Sequence, residues 1–202
     1  MSESAVNNDS VNFRDAMRKA LRLGGTLFAV TAVTGLILGF VEHFTSKAIL
    51  QTELEARNAA FRIVMPDAKT FSPADVVDDE FVTGVQKAEN DSGLVGWCMS
   101  VSSKGYGGPV GFIAGITKDG TVKAINILNH SETPGLGAKS TEPEFYEQFN
   151  DKSALPLKVV KGSASNPDEI AAISGATITS TAVTNGVNAA VEYWNKNLKG
   201  AE

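Results

Sequence analysis

The spacing of hydrophobic residues changes character several times along the chain. Residues 23–41, LGGTLFAVTAVTGLILGFV, form a run of 19 positions without a charge. Wound as a helix, the run is about 28 Å long, roughly the thickness of one hydrocarbon core. It has no polar face, which argues against a soluble helix. A basic amphipathic turn, FRDAMRKALR, precedes it, and the polar residues 1–12 are predicted to lack regular structure. After the run, Ile49, Leu50, Leu54, Phe61 and Val64 approximate a helical stripe over 46–64, and Pro66 ends it. Residues 67–80 are rich in Asp and Pro and read as a loop.

From residue 81 the period drops to two. FVTGVQKA (81–88), LVGWCMSVS (94–102), PVGFIAGIT (109–117) and TVKAINILN (121–129) are predicted strands, rich in Val and Ile. Lys118, Asp119 and Gly120 mark a hairpin turn between the last two. A loop, HSETPGLGAKS, follows. TEPEFYEQF reads as a short helix with a capping box from Thr141 to Glu144. LPLKVV is a further strand, and DEIAAIS contributes another that ends at Ile173. The last helix is predicted over 178–198, with Val183, Val187, Val191 and Trp194 on one face. The expected organisation is an N-terminal segment (1–22), a transmembrane helix (23–41), a stalk helix (42–66) and a domain (67–202). The fold class is α+β, an antiparallel sheet with packed helices.

Charge adds a direction. Four of the 18 basic residues (Arg14, Arg18, Lys19, Arg22) precede residue 23, with three of the 23 acids. The remainder carries 14 basic against 20 acidic side chains. The basic cluster before the span predicts a cytoplasmic N-terminus and an extracytoplasmic domain. A retained anchor is favoured over a cleaved signal peptide, because the run is long and no A-x-A site follows it. An acidic body without a basic face argues against nucleic acid as a partner. Cys98 is the only cysteine, so neither an internal disulfide nor a CxxC metal site is available. His130 has no second ligand at metal spacing, and no metal is assigned.

The strongest local signal is Ser174-Gly175-Ala176-Thr177-Ile178-Thr179-Ser180, between a strand and a helix. Gly175 permits a tight turn and close approach of a ligand, and Ala176 leaves room. Thr177 then offers a hydroxyl at the first helical turn, where free amides and the positive dipole end suit a phosphate. Taken alone, the heptad also fits an ordinary capped helix, with Thr179 or Ser180 as the cap and Gly175 as a plain turn residue. The spacing of GYGGPVG does not meet the dinucleotide fingerprint, so no NAD site is inferred.

SGATITS resembles the flavinylation motif of the FMN-binding domain family. That domain occurs in the G subunit of Rnf-type ferredoxin:NAD oxidoreductase complexes and in the C subunit of sodium-translocating NADH:quinone reductases. Two more segments match in order. Gly105-Tyr106-Gly107-Gly108-Pro109 resembles the family's glycine-rich loop, and His130-Ser131-Glu132-Thr133-Pro134-Gly135-Leu136-Gly137 resembles its ETPGLG loop. Ala171 departs from the Asp often found three positions before the motif's Ser. The resemblance implies one FMN per chain, joined by a phosphoester to Thr177 by a flavin transferase that takes it from FAD. It implies an electron-transfer component of an ion-translocating membrane complex, with no catalytic site of its own. The other membrane subunits and the bilayer lipid would be its partners, in a bacterial inner membrane. The short chain fits the Rnf G subunit better than its quinone-reductase counterpart. A non-redox binding or sensor module is a third possibility.

By the same resemblance, Ser174, Gly175, Ala176, Ile178 and Thr179 would surround the attachment point. Glu132 and Thr133 would hydrogen-bond the ring, and Gly135, Leu136 and Gly137 would pack against it. Tyr106 is read either as a stacking residue or as packing, and Lys158 either as a counter-charge to the flavin or as a solvated lysine. Cys98 reads as a buried small hydrophobe. Trp97 and Trp194 read as core.

Overall fold

The structure, a computed structural model, describes the backbone of residues 3–153 and 156–200. Side chains are described for 17–42, 45, 49, 52–153 and 156–200. The side chain of Leu50, in the expected stripe, and Leu155, where the strand LPLKVV was to begin, lie outside the described residues. Two compact units divide the chain, Met1–Glu53 and Leu54–Glu202.

A long helix, α1 (Glu3–Val64), supplies all of the first unit's regular structure. Helix therefore replaces the irregular segment expected for residues 3–12. Once the apolar run has nucleated a helix, propagation into neighbouring residues is nearly neutral in free energy. Met17–Glu42 is long and apolar enough to cross a membrane, with a mean hydropathy of 1.9 and its side chains unburied. The threonines inside it satisfy their own hydroxyls. Thr26 donates to the Leu23 carbonyl (2.9 Å), Thr31 to those of Leu27 and Phe28 (both 3.0 Å) and Thr34 to that of Val30 (2.8 Å). These three hydroxyls are then paired even in an apolar surrounding.

The second unit is a five-stranded antiparallel sheet in the order β1-β2-β3-β4-β5. Its strands are β1 (Thr70–Pro73), β2 (Val82–Asn90), β3 (Gly93–Lys104), β4 (Pro109–Thr117) and β5 (Val122–Asn129). Period-two alternation sorts the side chains between two faces. Trp97, Met99 and Val101 of β3 lie opposite Ile116, Ala114 and Phe112 of β4. They share a core with Val183, Val187, Val191 and Trp194 of the C-terminal helix α3 (Thr177–Asn197). Cys98 and Ile113 point the other way, into a second core with Ala60, Phe61, Val64 and Met65. The last turns predicted as stalk thus pack with the sheet, while Ile49 and Leu54 are exposed. Each fully buried Val, Ile or Phe contributes about 1.5–3 kcal/mol.

Between β5 and α3 lie a 3-10 turn (Gly137–Thr141), the short helix α2 (Pro143–Tyr146) and a parallel pair, β6 (Lys158–Val160) with β7 (Glu169–Ala171). Three details differ from expectation. Residues 70–73 form the edge strand β1, paired with residues 86–89 of β2. The capping box is not made: the N-cap of α2 is Glu142, without a side-chain bond, and Thr141 donates to the Ala138 carbonyl at 2.9 Å. Strand β7 ends at Ala171, where Gln148 takes over: its Oε1 accepts the Ala171 N–H at 2.7 Å. Gly186 sets how closely α3 sits on the sheet, because a Cβ there would lie 2.8 Å from Phe112 Cζ and 3.0 Å from Val101 Cγ1.

Candidate functional site

Helix α3 begins at Thr177, directly after the turn Ser174–Ala176. Gly175 makes that turn with φ +76°, a left-handed conformation open to glycine and strained for other residues. Ser180 closes it from inside. Its buried hydroxyl accepts the Ile173 N–H (3.0 Å) and donates to the Ala176 carbonyl (3.0 Å). Neither Thr179 nor Ser180 caps the helix; the N-cap is Ala176, and among the described residues no side chain accepts from the amides of the first turn. The amides of that turn therefore point outward without side-chain acceptors, a ready position for an anion. Thr177 is exposed there, and among the described residues its hydroxyl has no hydrogen-bond partner.

Thr177 and Ile178 stand on a ridge between two clefts. One, of about 510 Å³, is lined by Tyr106, Glu132, Thr133, Leu136, Gly137 and residues 175–179. The other, of about 740 Å³, is lined by residues 102–104, Gly108, Pro109, Thr181, Ala182 and Asn185, with Glu80 and Phe81 at its side. Both volumes fall in the range that holds cofactor-sized ligands. The first cleft has exposed apolar walls in Tyr106, Leu136 and Ile178.

Three loops distant in sequence meet at this first cleft, and Glu132 joins them. Its Oε1 accepts the Gly107 N–H at 3.0 Å, and its Oε2 accepts the Thr179 hydroxyl at 2.7 Å. The carboxylate is buried, and each oxygen accepts one hydrogen bond from the protein. The Leu136 and Ala138 amides both donate to the Thr133 carbonyl (3.1 and 3.2 Å), which turns the loop back on itself.

Most residues singled out in the sequence are gathered here: Tyr106, Glu132, Thr133, Leu136, Gly137, Gly175, Ala176, Thr177, Ile178 and Thr179 share one cleft. Ser174 and Gly135 are exposed in the adjoining turns and line neither cleft; Gly135 has φ +75°. Lys158 also lines neither cleft. It pairs with Asp168 at 3.0 Å, and that bond holds the Asp168 carboxyl below its ordinary range. Trp97 is core, packed edge-on against Trp194 with ring centroids 6.4 Å apart. Burial pushes the Cys98 thiol up to about 12. Sequence reasoning missed Ser102, Lys104, Thr181 and Asn185 of the larger cleft. Thr181 and Asn185 carried a readable signal, because they follow Thr177 at steps of four on the same helix face.

Residues 105–192 match the FMN-binding domain family. The chain is 36% identical to the G subunit of the proton-translocating ferredoxin:NAD(+) oxidoreductase complex of Clostridium ljungdahlii, over 83% of this chain and 91% of that one. The chain belongs to the G-subunit family of Rnf-type complexes. A second G subunit, from the Na(+)-translocating ferredoxin:NAD(+) oxidoreductase complex of Acetobacterium woodii, is 34% identical over 86% of this chain and 90% of that one. The fold resembles the crystal structure of the C subunit of Na(+)-translocating NADH-quinone reductase from Parabacteroides distasonis. The TM-score is 0.57 at 21% identity, covering 76% of this chain and 97% of that one. In this Rnf-type protein the site fits an FMN. The uncapped start of α3 suits its phosphate, and the apolar walls of the smaller cleft suit a flat ring.

Proposed function

We propose that the chain carries one FMN, joined by a phosphoester to Thr177, and serves as an electron relay in an ion-translocating ferredoxin:NAD oxidoreductase complex. The observation that carries this reading is the exposed Thr177 hydroxyl at an uncapped helix start between two clefts. In maturation, a flavin transferase joins Thr177 Oγ1 to the FMN phosphorus of FAD. The pyrophosphate bond of FAD breaks, AMP leaves, and the hydroxyl proton is released.

Bound FMN supplies a carrier that takes up and gives back electrons one or two at a time. The protein's part is to hold it. The amides of the first turn of α3 would hold the phosphate, and the helix dipole would favour its charge. Tyr106, Leu136 and Ile178 would wall the ring. The clefts are open, so an edge stays within reach of a partner. A covalent tether fixes the local concentration of the group, so no deep pocket is required. On this reading the enzyme is the whole complex. Membrane lipid surrounds the span, with the N-terminus in the cytoplasm, the domain outside, and the other membrane subunits as partners.

The test is Thr177→Ala in the assembled complex. Ferredoxin-driven NAD reduction should be lost while the variant protein remains in the membrane in normal amount. Undiminished electron transfer in that variant overturns the relay.

A further inference from the structure

Glu132 sits at the floor of the smaller cleft, 6% exposed. Space has been kept around its carboxylate. A Cβ at Gly105 would overlap Oε1, and one at Gly137 would overlap Oε2. The donors that meet it come from another loop, Gly107 at 3.0 Å, and from the first turn of α3, Thr179 at 2.7 Å. Both oxygens accept, the arrangement that an ionised carboxylate makes. A charge in a largely buried position is screened weakly, and its field reaches into the cleft beside it.

We propose that Glu132 is a positioning residue that also tunes the flavin: it ties the Gly105–Pro109 loop to the start of α3, and its fixed negative charge makes the flavin beside it harder to reduce. This rests on the reading that Thr177 carries FMN. Reduction adds electron density to the ring, and a neighbouring anion opposes it. Removing the charge therefore raises the reduction potential. Removing a hydrogen-bond donor from the carboxylate leaves its charge less compensated and lowers the potential.

Two variants separate charge from fastening. Glu132→Gln keeps the shape, accepts from Gly107 and turns its amide toward Thr179. Thr179→Val keeps the charge and deletes one donor. Each full-length protein is made with its flavin transferase, purified in detergent, checked by intact mass for bound FMN, and titrated by flavin absorbance at controlled potential. Glu132→Gln should shift to a more positive potential than the wild type, and Thr179→Val to a more negative one. If all three carry flavin and share one potential, the inference is overturned and the flavin site stands. A wild type that never gains flavin overturns the parent reading and this one with it. Should Glu132→Gln fail to fold or to take up flavin, Thr179→Val decides. A negative shift supports the inference, and an unmoved or positive one overturns it.

Discussion

Ser180→Ala and Thr177→Ala remove hydroxyls three residues apart, and the structure predicts opposite consequences. The Ser180 hydroxyl is fully buried and bridges the Ile173 N–H to the Ala176 carbonyl, 3.0 Å to each. Alanine there leaves the half-buried Ile173 amide without its acceptor, at a cost of about 1–3 kcal/mol. The better helix propensity of alanine offsets about 0.5 kcal/mol of this. That leaves a net loss of about 0.5–2.5 kcal/mol; a domain of this size loses roughly 2–4 °C in Tm per kcal/mol, so a fall of roughly 1–10 °C is expected. Thr177 is exposed and its hydroxyl bonds to no described residue. Its replacement by alanine should change stability by no more than about 0.5 kcal/mol in either direction. The assay is thermal unfolding of the flavin-free proteins, followed by co-expression with the transferase and in-gel fluorescence. Ser180→Ala should melt earlier and still fluoresce; Thr177→Ala should melt like the wild type and stay dark. A Ser180→Ala protein within about 1 °C of the wild type would refute the claim that this hydroxyl holds the turn.

Protease added to intact spheroplasts should remove the domain beyond residue 53 and spare the N-terminus; protection of the domain would reverse the orientation. The glycines of the span have open space around them, so Gly35→Leu or Gly39→Leu should weaken co-purification with the other membrane subunits, and unchanged recovery of both would place the contact elsewhere. With the Cys98 thiol raised to about 12 by burial, almost no thiolate exists at pH 8. Iodoacetamide should therefore leave the folded protein unlabelled and modify it in guanidinium; rapid labelling of the folded protein would contradict the burial.

The central strands were legible because Val- and Ile-rich runs bounded by turn signals mark strands buried on both faces. Cys98 faces one core and its neighbours Trp97 and Met99 the other, and that alternation is written directly in the residue order. The α3 stripe was legible for the same reason at helical period. Strand β1 was not, because four residues ending in Pro73 carry no period and gain their place through backbone pairing with β2. Strands β6 and β7 fall inside two segments read as strands, LPLKVV and DEIAAIS, but their parallel pairing, three residues on each side, is not written in either segment. The SGATITS heptad, the ETPGLG loop and the glycine-rich loop were each recognisable, yet nothing in the sequence said how they are joined. Glu132 reaches partners 25 and 47 positions away, a relation that exists only after folding.

The central claim is a covalent bond at one hydroxyl among the five in residues 174–181. Ser174, Thr177, Thr179, Ser180 and Thr181 all lie in that stretch. The fold excludes two on geometric grounds, since Thr179 and Ser180 are buried and already bonded. The deciding measurement is fragmentation mass spectrometry of the proteolytic peptide that contains them, from protein made with its transferase. The account predicts an added mass of one FMN less one water, with fragments that place it on Thr177. An unmodified peptide, or a flavin placed on any of the other four hydroxyls, would contradict it.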